Sequence, residues 1–127
     1  MGENKSLAKI TSFTGLHAWQ EGHQLVLSIN KETIKFPKEE KYSLIDQIRR
    51  AAISITSNIA EGFSRYGKNE KRQFYRMALG SLTELQNQIL IARDIGYLSQ
   101  DRFLNLADRS VVVSKLVNGL IKSVSNP

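Results

Sequence analysis

Between Leu44 and Phe63 apolar residues recur as Leu44, Ile48, Ala52, Ile55, Ile59 and Phe63, at gaps of four, four, three, four and four. That period is one face of an α-helix. Polar residues do not keep to the far side. Arg50, Ser54, Ser57 and Glu61 form a second stripe beside the first, bordered by Asn58. A helix with an apolar stripe next to a hydrogen-bonding stripe is expected to meet more than one neighbour. The segment therefore reads as a central bundle helix, opened by Ser43 with Asp46 three residues on and running to about Ser64.

Three other segments carry the same period. Leu16, Trp19, His23, Val26, Ile29 and Thr33 predict a first helix, started by Thr14 or Gly15 and reaching about Phe36. Pro37 ends it, because the residue before a proline disfavours helical geometry. After a loop bracketed by Gly62 and Gly67, Phe74, Ala78, Leu82, Leu85, Ile89 and Ala92 predict a third helix, with Asn69 as its N-cap and Gly96 as its left-handed terminator. Gly80 and Ser81 are small enough to let a neighbouring helix approach. In the fourth, capped by Ser99, Phe103, Leu106, Ser110, Val113, Val117, Leu120 and Val124 alternate gaps of three and four throughout, a heptad-type seam. No strand alternation, internal repeat or low-complexity tract competes with these helices. The prediction is an all-α chain: a mobile arm over residues 1–14, then an antiparallel up-down-up-down four-helix bundle over 15–127.

Helices 2 and 3 are also apolar outside their main stripes, at Ile45, Ile53 and Ala60 on one and Leu79, Leu90 and Ile91 on the other. Either the core face is wide or a second copy of the chain covers the surplus.

Composition narrows the chemistry. With 127 residues the chain has room for one domain, and with no cysteine it has no disulfide, thiolate metal site or cysteine nucleophile. A cytoplasmic location fits that. No apolar run is long enough for a membrane span, and no membrane partner is expected. The start, with Gly2 and Ser6, matches the loose N-myristoylation pattern, which is short enough to arise by chance. The two histidines, His17 and His23, stand six apart, so one helix cannot aim both at one metal. His23, on the apolar stripe, is expected to pack and donate to a carbonyl. There is no Glu-x-x-His pair for a di-iron bundle, no glycine-rich phosphate loop and no nucleophile elbow. Glu61 and Glu84 are the one carboxylate pair to consider. Each is better read as a partner for Arg50, Ser54 or Asn58 in a structural polar network or subunit interface. No enzyme activity and no cofactor are expected.

The net charge is +6, and its distribution matters more than its size. From Phe63 to Arg76 there are five cations, Arg65, Lys68, Lys71, Arg72 and Arg76, against Glu70 alone, which places +4 of the total in fourteen residues. Phe63, Tyr66, Phe74 and Tyr75 interleave with them. Cations neutralise phosphates and release counterions, and aromatic faces stack on unpaired bases. Tyr66 and Tyr75 are the stacking candidates. The same residues also read as a solvated basic rim around a loop, with Phe63 and Phe74 in the core. Lys31, Lys35, Lys38 and Lys41 are offset by Glu32, Glu39 and Glu40 and read as a solvated face.

The stretch QIRRAAISITSNIAEGF, residues 47–63, resembles the signature of the four-helix-bundle family named for the 23S rRNA intervening-sequence protein. Members of that family have QIRRAAVSIPSNIAEG here, so Thr56 stands where proline is common. The absence of that proline predicts a straighter helix 2. LHAWQEGHQLVLSI, FPKEEKYSL and ALGSLTEL resemble the family's first helix, first linker and third helix. The resemblance covers about Phe13 to Lys122. It implies the bundle fold, a homopentamer, and kinship with a nucleic-acid-binding accessory factor of diversity-generating retroelements. The expected function is thus a non-enzymatic oligomeric RNA- or DNA-binding accessory protein. The alternatives are an oligomeric protein-interaction scaffold, and a small-molecule pocket between subunits.

Overall fold

The computed structural model describes residues 13–125, with the side chains of all but residues 40–42. The expected arm lies outside the described residues except for its last two, and so does the Gly2 motif. Phe13 to Gly15 form a turn in which the Leu16 amide donates to the Phe13 carbonyl at 3.0 Å. Four helices follow: α1 (His17–Thr33), α2 (Asp46–Ser64), α3 (Lys68–Asp94) and α4 (Gln100–Ser125). There is no strand among the described residues. α1 and α3 each pack against both α2 and α4, so the apolar stripes of all four meet in one core. No helix is long and apolar enough to cross a membrane, among the described residues.

The buried line of α1 is Ala18, Gly22, Leu25, Ile29 and Thr33: the last two are as predicted, and upstream Ala18, Gly22 and Leu25 replace Trp19, His23 and Val26, one residue round. Small residues explain the rotation. A Cβ on Gly22 would lie 3.0 Å from the Thr56 methyl, so α2 crosses α1 where α1 has no bulk. Trp19 and His23 are displaced to the flank. Their rings stack at 4.7 Å with 12° between planes, and Phe13 packs edge-on against Trp19. His23 thus packs by stacking and donates to no carbonyl among the described residues.

Helix ends differ from the prediction by local chemistry. α1 starts at His17, with Leu16 in extended geometry and no side-chain cap. Its last turn tightens before Pro37, with Lys35 and Phe36 amides bonded to the Glu32 and Thr33 carbonyls, three residues back. A 3₁₀ turn (Lys38–Glu40) and a π turn (Lys41–Ile45) lead into α2. α2 runs unbroken through Thr56, whose hydroxyl bonds to the Ile53 carbonyl at 3.0 Å. Gly67, in place of Asn69, caps α3, and the loop shrinks to residues 65–67. Asn69 sits inside the first turn and accepts from Arg72. Gly96 has φ +91°, the left-handed geometry that terminates α3, and the Ser99 hydroxyl accepts from the Arg102 amide at 3.3 Å.

In α3 the buried aromatic is Tyr75, and Phe74 is half-buried. Gly62 makes room for it: a Cβ there would lie 2.7 Å and 2.9 Å from Tyr75 ring carbons and 3.1 Å from the Phe74 Cβ. Gly62→Ala is expected to lower stability by about 1–3 kcal/mol, because overpacking of a fixed ring exceeds the helix-propensity gain of alanine. Urea unfolding measures it; an unchanged or raised midpoint would show that the ring moves freely. Gly80 plays no such part within the chain, since nothing lies within 4 Å of its Cβ position.

Candidate nucleic-acid interface

The α2–α3 junction separates the candidate residues into those the fold employs and those it leaves outward. Tyr75 is employed. It is 2% exposed and packs among core residues, so it has no face to offer a base, which corrects its assignment as a stacking residue. Burial raises its hydroxyl above the ordinary tyrosine value, since the anion would lose its hydration. Lys71 is employed as well. Its ammonium donates to the Phe63 carbonyl at 2.7 Å and the Gly62 carbonyl at 3.5 Å, and lies 5.3 Å from the centre of the Phe63 ring. The end of α2 leaves the Phe63 carbonyl to this ammonium, while the Gly62 carbonyl also accepts from the Arg65 amide at 3.2 Å. Arg65 folds back on Glu61 at 2.9 Å and over the Phe74 ring at 4.8 Å.

Arg72 is shared. One nitrogen reaches the Ser125 hydroxyl at 3.1 Å and the Val124 carbonyl at 3.4 Å, which ties the start of α3 to the end of α4. It also lines, with Arg76, Asn69, Gln73 and Met77, an open groove of about 570 Å³. Lys68 lies one turn before Arg72 on the same helix face. Lys68 and Arg76 are exposed and make no ion pair among the described residues. Tyr66 is 100% exposed. The outward set is therefore Lys68, Arg72, Arg76 and Tyr66, with the Arg65 guanidinium at its margin.

The second stripe of α2 divides too. The Ser54 hydroxyl lies 2.8 Å from that of Ser81, and Asn58 donates to the Ser54 carbonyl at 2.9 Å and hydroxyl at 3.2 Å. This is a half-buried polar contact between α2 and α3. Arg50 and Glu61 take no part in it. Arg50 pairs with Asp46 at 2.9 Å and Glu61 with Arg65, both between neighbours one turn apart at the surface. Glu84 is exposed and has no ion-pair partner among the described residues. The pairing of Arg50 with Glu61 or Glu84 thus does not occur within the chain. A carboxylate nearer in sequence is reached first, since i,i+4 neighbours face each other on a helix.

Two ties between helices have no counterpart in the sequence pattern. Arg102 pairs with Glu32 at 2.5 Å, joining α4 to α1. Arg49 Nε donates to the Thr33 hydroxyl at 2.9 Å, joining α2 to α1. Spacing gives no signal for either, because each depends on the register between helices. Among the described residues no group of three or more His, Cys, Asp or Glu gathers as a metal site would require.

Four helices around one core, with no strand among the described residues, define an all-α four-helix protein. The model of the 23S rRNA-intervening sequence protein family matches residues 14–119, and the chain belongs to that family. A crystal structure of a protein of unknown function from the S23 ribosomal protein family of Bacteroides thetaiotaomicron VPI-5482 is similar in fold, with a TM-score of 0.76 at 18% identity. The match covers 83% of this chain and 98% of that one. No curated protein is matched.

Proposed function

We propose that the chain is a non-enzymatic, oligomeric helical-bundle protein that binds RNA or DNA through the α2–α3 end. The observation that carries the reading is the outward set. Lys68, Arg72 and Arg76 follow one helix face, the second and third open to a common groove, and the fully exposed Tyr66 lies two residues before Lys68 in the chain. Phosphates would meet the cations and an unpaired base would meet Tyr66. The set is three cations and one ring, so contacts would be mainly to the backbone, with little sequence preference.

The bundle is read as antiparallel up-down-up-down, and register pairs support that. Along α2 the partners on α3 run backwards, Ser54 with Ser81 and Gly62 with Tyr75. Along α3 the partners on α4 do the same, Arg72 with Val124, Gln86 with Ser110 and Arg93 with Phe103. Exposed apolar residues support assembly. Of the surplus positions, Ile45 is buried and Ala60 and Leu79 are half-buried, but Ile53, Ile91 and Leu90 are 50%, 43% and 40% exposed. A second copy would remove them from water, and a pentamer is the assembly that the family resemblance implies. Rings repeat each basic end about one axis and so multiply weak phosphate contacts.

Light scattering with and without a mixed-sequence RNA, at low and moderate salt, tests both parts. The expected result is an oligomer that gains RNA mass at low salt and sheds it as salt rises. An oligomer indifferent to RNA at both salts would favour a protein-interaction scaffold. A monomer would overturn the assembly.

A further inference from the structure

A second pocket lies at the junction of α1, the linker and α2, and the nucleic-acid reading makes no use of it. It is an open cleft of about 420 Å³ lined by Thr33, Ile34, Phe36, Lys38, Ile45 and Arg49. Ile34, Phe36 and Ile45 make its walls largely apolar. Phe36 and Ile45 are core residues, and Ile34 stands on the rim at 74% exposed, the most exposed aliphatic side chain described. The π turn that precedes α2 ends on Ile45 and sets it in the wall; such turns recur at functional sites.

One guanidinium is aimed at this pocket by the core. Thr33 is 2% exposed, and its hydroxyl proton goes to the Ile29 carbonyl at 2.8 Å. A hydroxyl has one proton and two lone pairs. With its proton committed, the Thr33 oxygen can only accept from Arg49, whose Nε donates to it at 2.9 Å. That bond fixes the plane of the guanidinium. Its two terminal nitrogens bond to nothing else among the described residues. The free end of the fork, with one N–H from each terminal nitrogen, matches a carboxylate bidentately, and Lys38 adds a second cation beside it. Apolar walls with a few convergent polar groups are the usual build of a small-ligand site. A bare phosphate would gain nothing from Ile34, Phe36 and Ile45.

We infer that this pocket binds a small monocarboxylate with an apolar body, its carboxylate on Arg49 and its hydrocarbon between Ile34, Phe36 and Ile45. The inference stands independently of nucleic-acid binding.

Benzoate is the probe and benzamide its neutral counterpart, each titrated into the full-length protein in its native assembly by amide NMR. Benzoate is expected to shift resonances of residues 33–49 saturably and to bind about tenfold or more tightly than benzamide, the worth of a charge-assisted pair. Arg49→Lys keeps the charge and loses the fork, and is expected to weaken benzoate severalfold. Ile34→Asp, at an exposed position that cannot disturb the core, is expected to abolish binding through like charge and removal of the apolar wall. Equal binding of benzoate and benzamide, shifts confined to the Arg65–Arg76 region, or indifference to both substitutions would overturn the inference.

Discussion

Replacing Tyr75 by alanine is expected to cost about 3–5 kcal/mol of folding stability, whereas Tyr66→Ala leaves stability within about 0.5 kcal/mol. The two tyrosines lie nine residues apart and look alike in sequence. Tyr75 fills space between α2 and α3 that Gly62 leaves open, so its removal creates a cavity lined by side chains that cannot all collapse. Tyr66 touches water on every side. Chemical unfolding of both variants decides the matter, and a mild effect of Tyr75→Ala would mean that its ring is not a core element. Alkaline pH gives a second readout. The folded-state pKa of Tyr75 is raised by burial, so the folded chain keeps a proton that the unfolded chain releases above about pH 10. The stability tied to the neutral hydroxyl is full below that pH and is lost as pH rises toward the folded value. Tyr75→Phe is expected to flatten this alkaline fall; an identical fall in both proteins would assign it to other groups.

The swap of Tyr75 for Phe74 shows what the sequence held. Leu82, Leu85, Ile89 and Ala92 alternate gaps of three and four. Continued upstream, that alternation lands on Ala78 and then Tyr75, the two residues that are buried. The signal is present, and the greater hydrophobicity of phenylalanine outweighs it in the prediction. For α1 the reverse holds. Trp19 and His23 dominate any count of apolar bulk, yet Ala18 and Gly22 face the core, because close helix approach rewards small side chains over large ones. The central stripe of α2 and the heptad seam of α4 are legible outright, since their periods are unbroken. The polar partners are legible only where both ends lie on one helix. Arg50 with Asp46 and Arg65 with Glu61 obey the i,i+4 rule. Ser54 with Ser81, Lys71 with the Phe63 carbonyl and Arg72 with Ser125 depend on the offset between helices, which the length of a loop sets only indirectly. Charge density marks the α2–α3 end of the bundle, but not which cations the fold occupies there.

That division among the cations leads to the sharpest functional expectation. The double substitution Lys68→Glu with Arg76→Glu is expected to lower RNA affinity at low salt by roughly tenfold to hundredfold and to reduce the salt slope by about 2, one for each phosphate no longer neutralised. Both side chains are exposed and free of ion pairs among the described residues, so the fold should not register the change. Lys71→Glu makes a poor substitute. It would remove the ammonium from the carbonyls of Gly62 and Phe63 and set a carboxylate near them, so any loss of binding would be mixed with damage to the end of α2. Arg65→Glu has the same defect, since it would face Glu61. The informative comparison is therefore the double variant against Tyr66→Ala, both at unchanged melting temperature. If the cations hold the backbone and the ring stacks on bases, the first variant loses affinity together with about 2 of its salt slope. The second loses affinity by about 1–3 kcal/mol per stacked base with its salt slope intact. Retained affinity and slope in the double variant would remove the α2–α3 end from the binding surface, whatever the remaining charge of the protein.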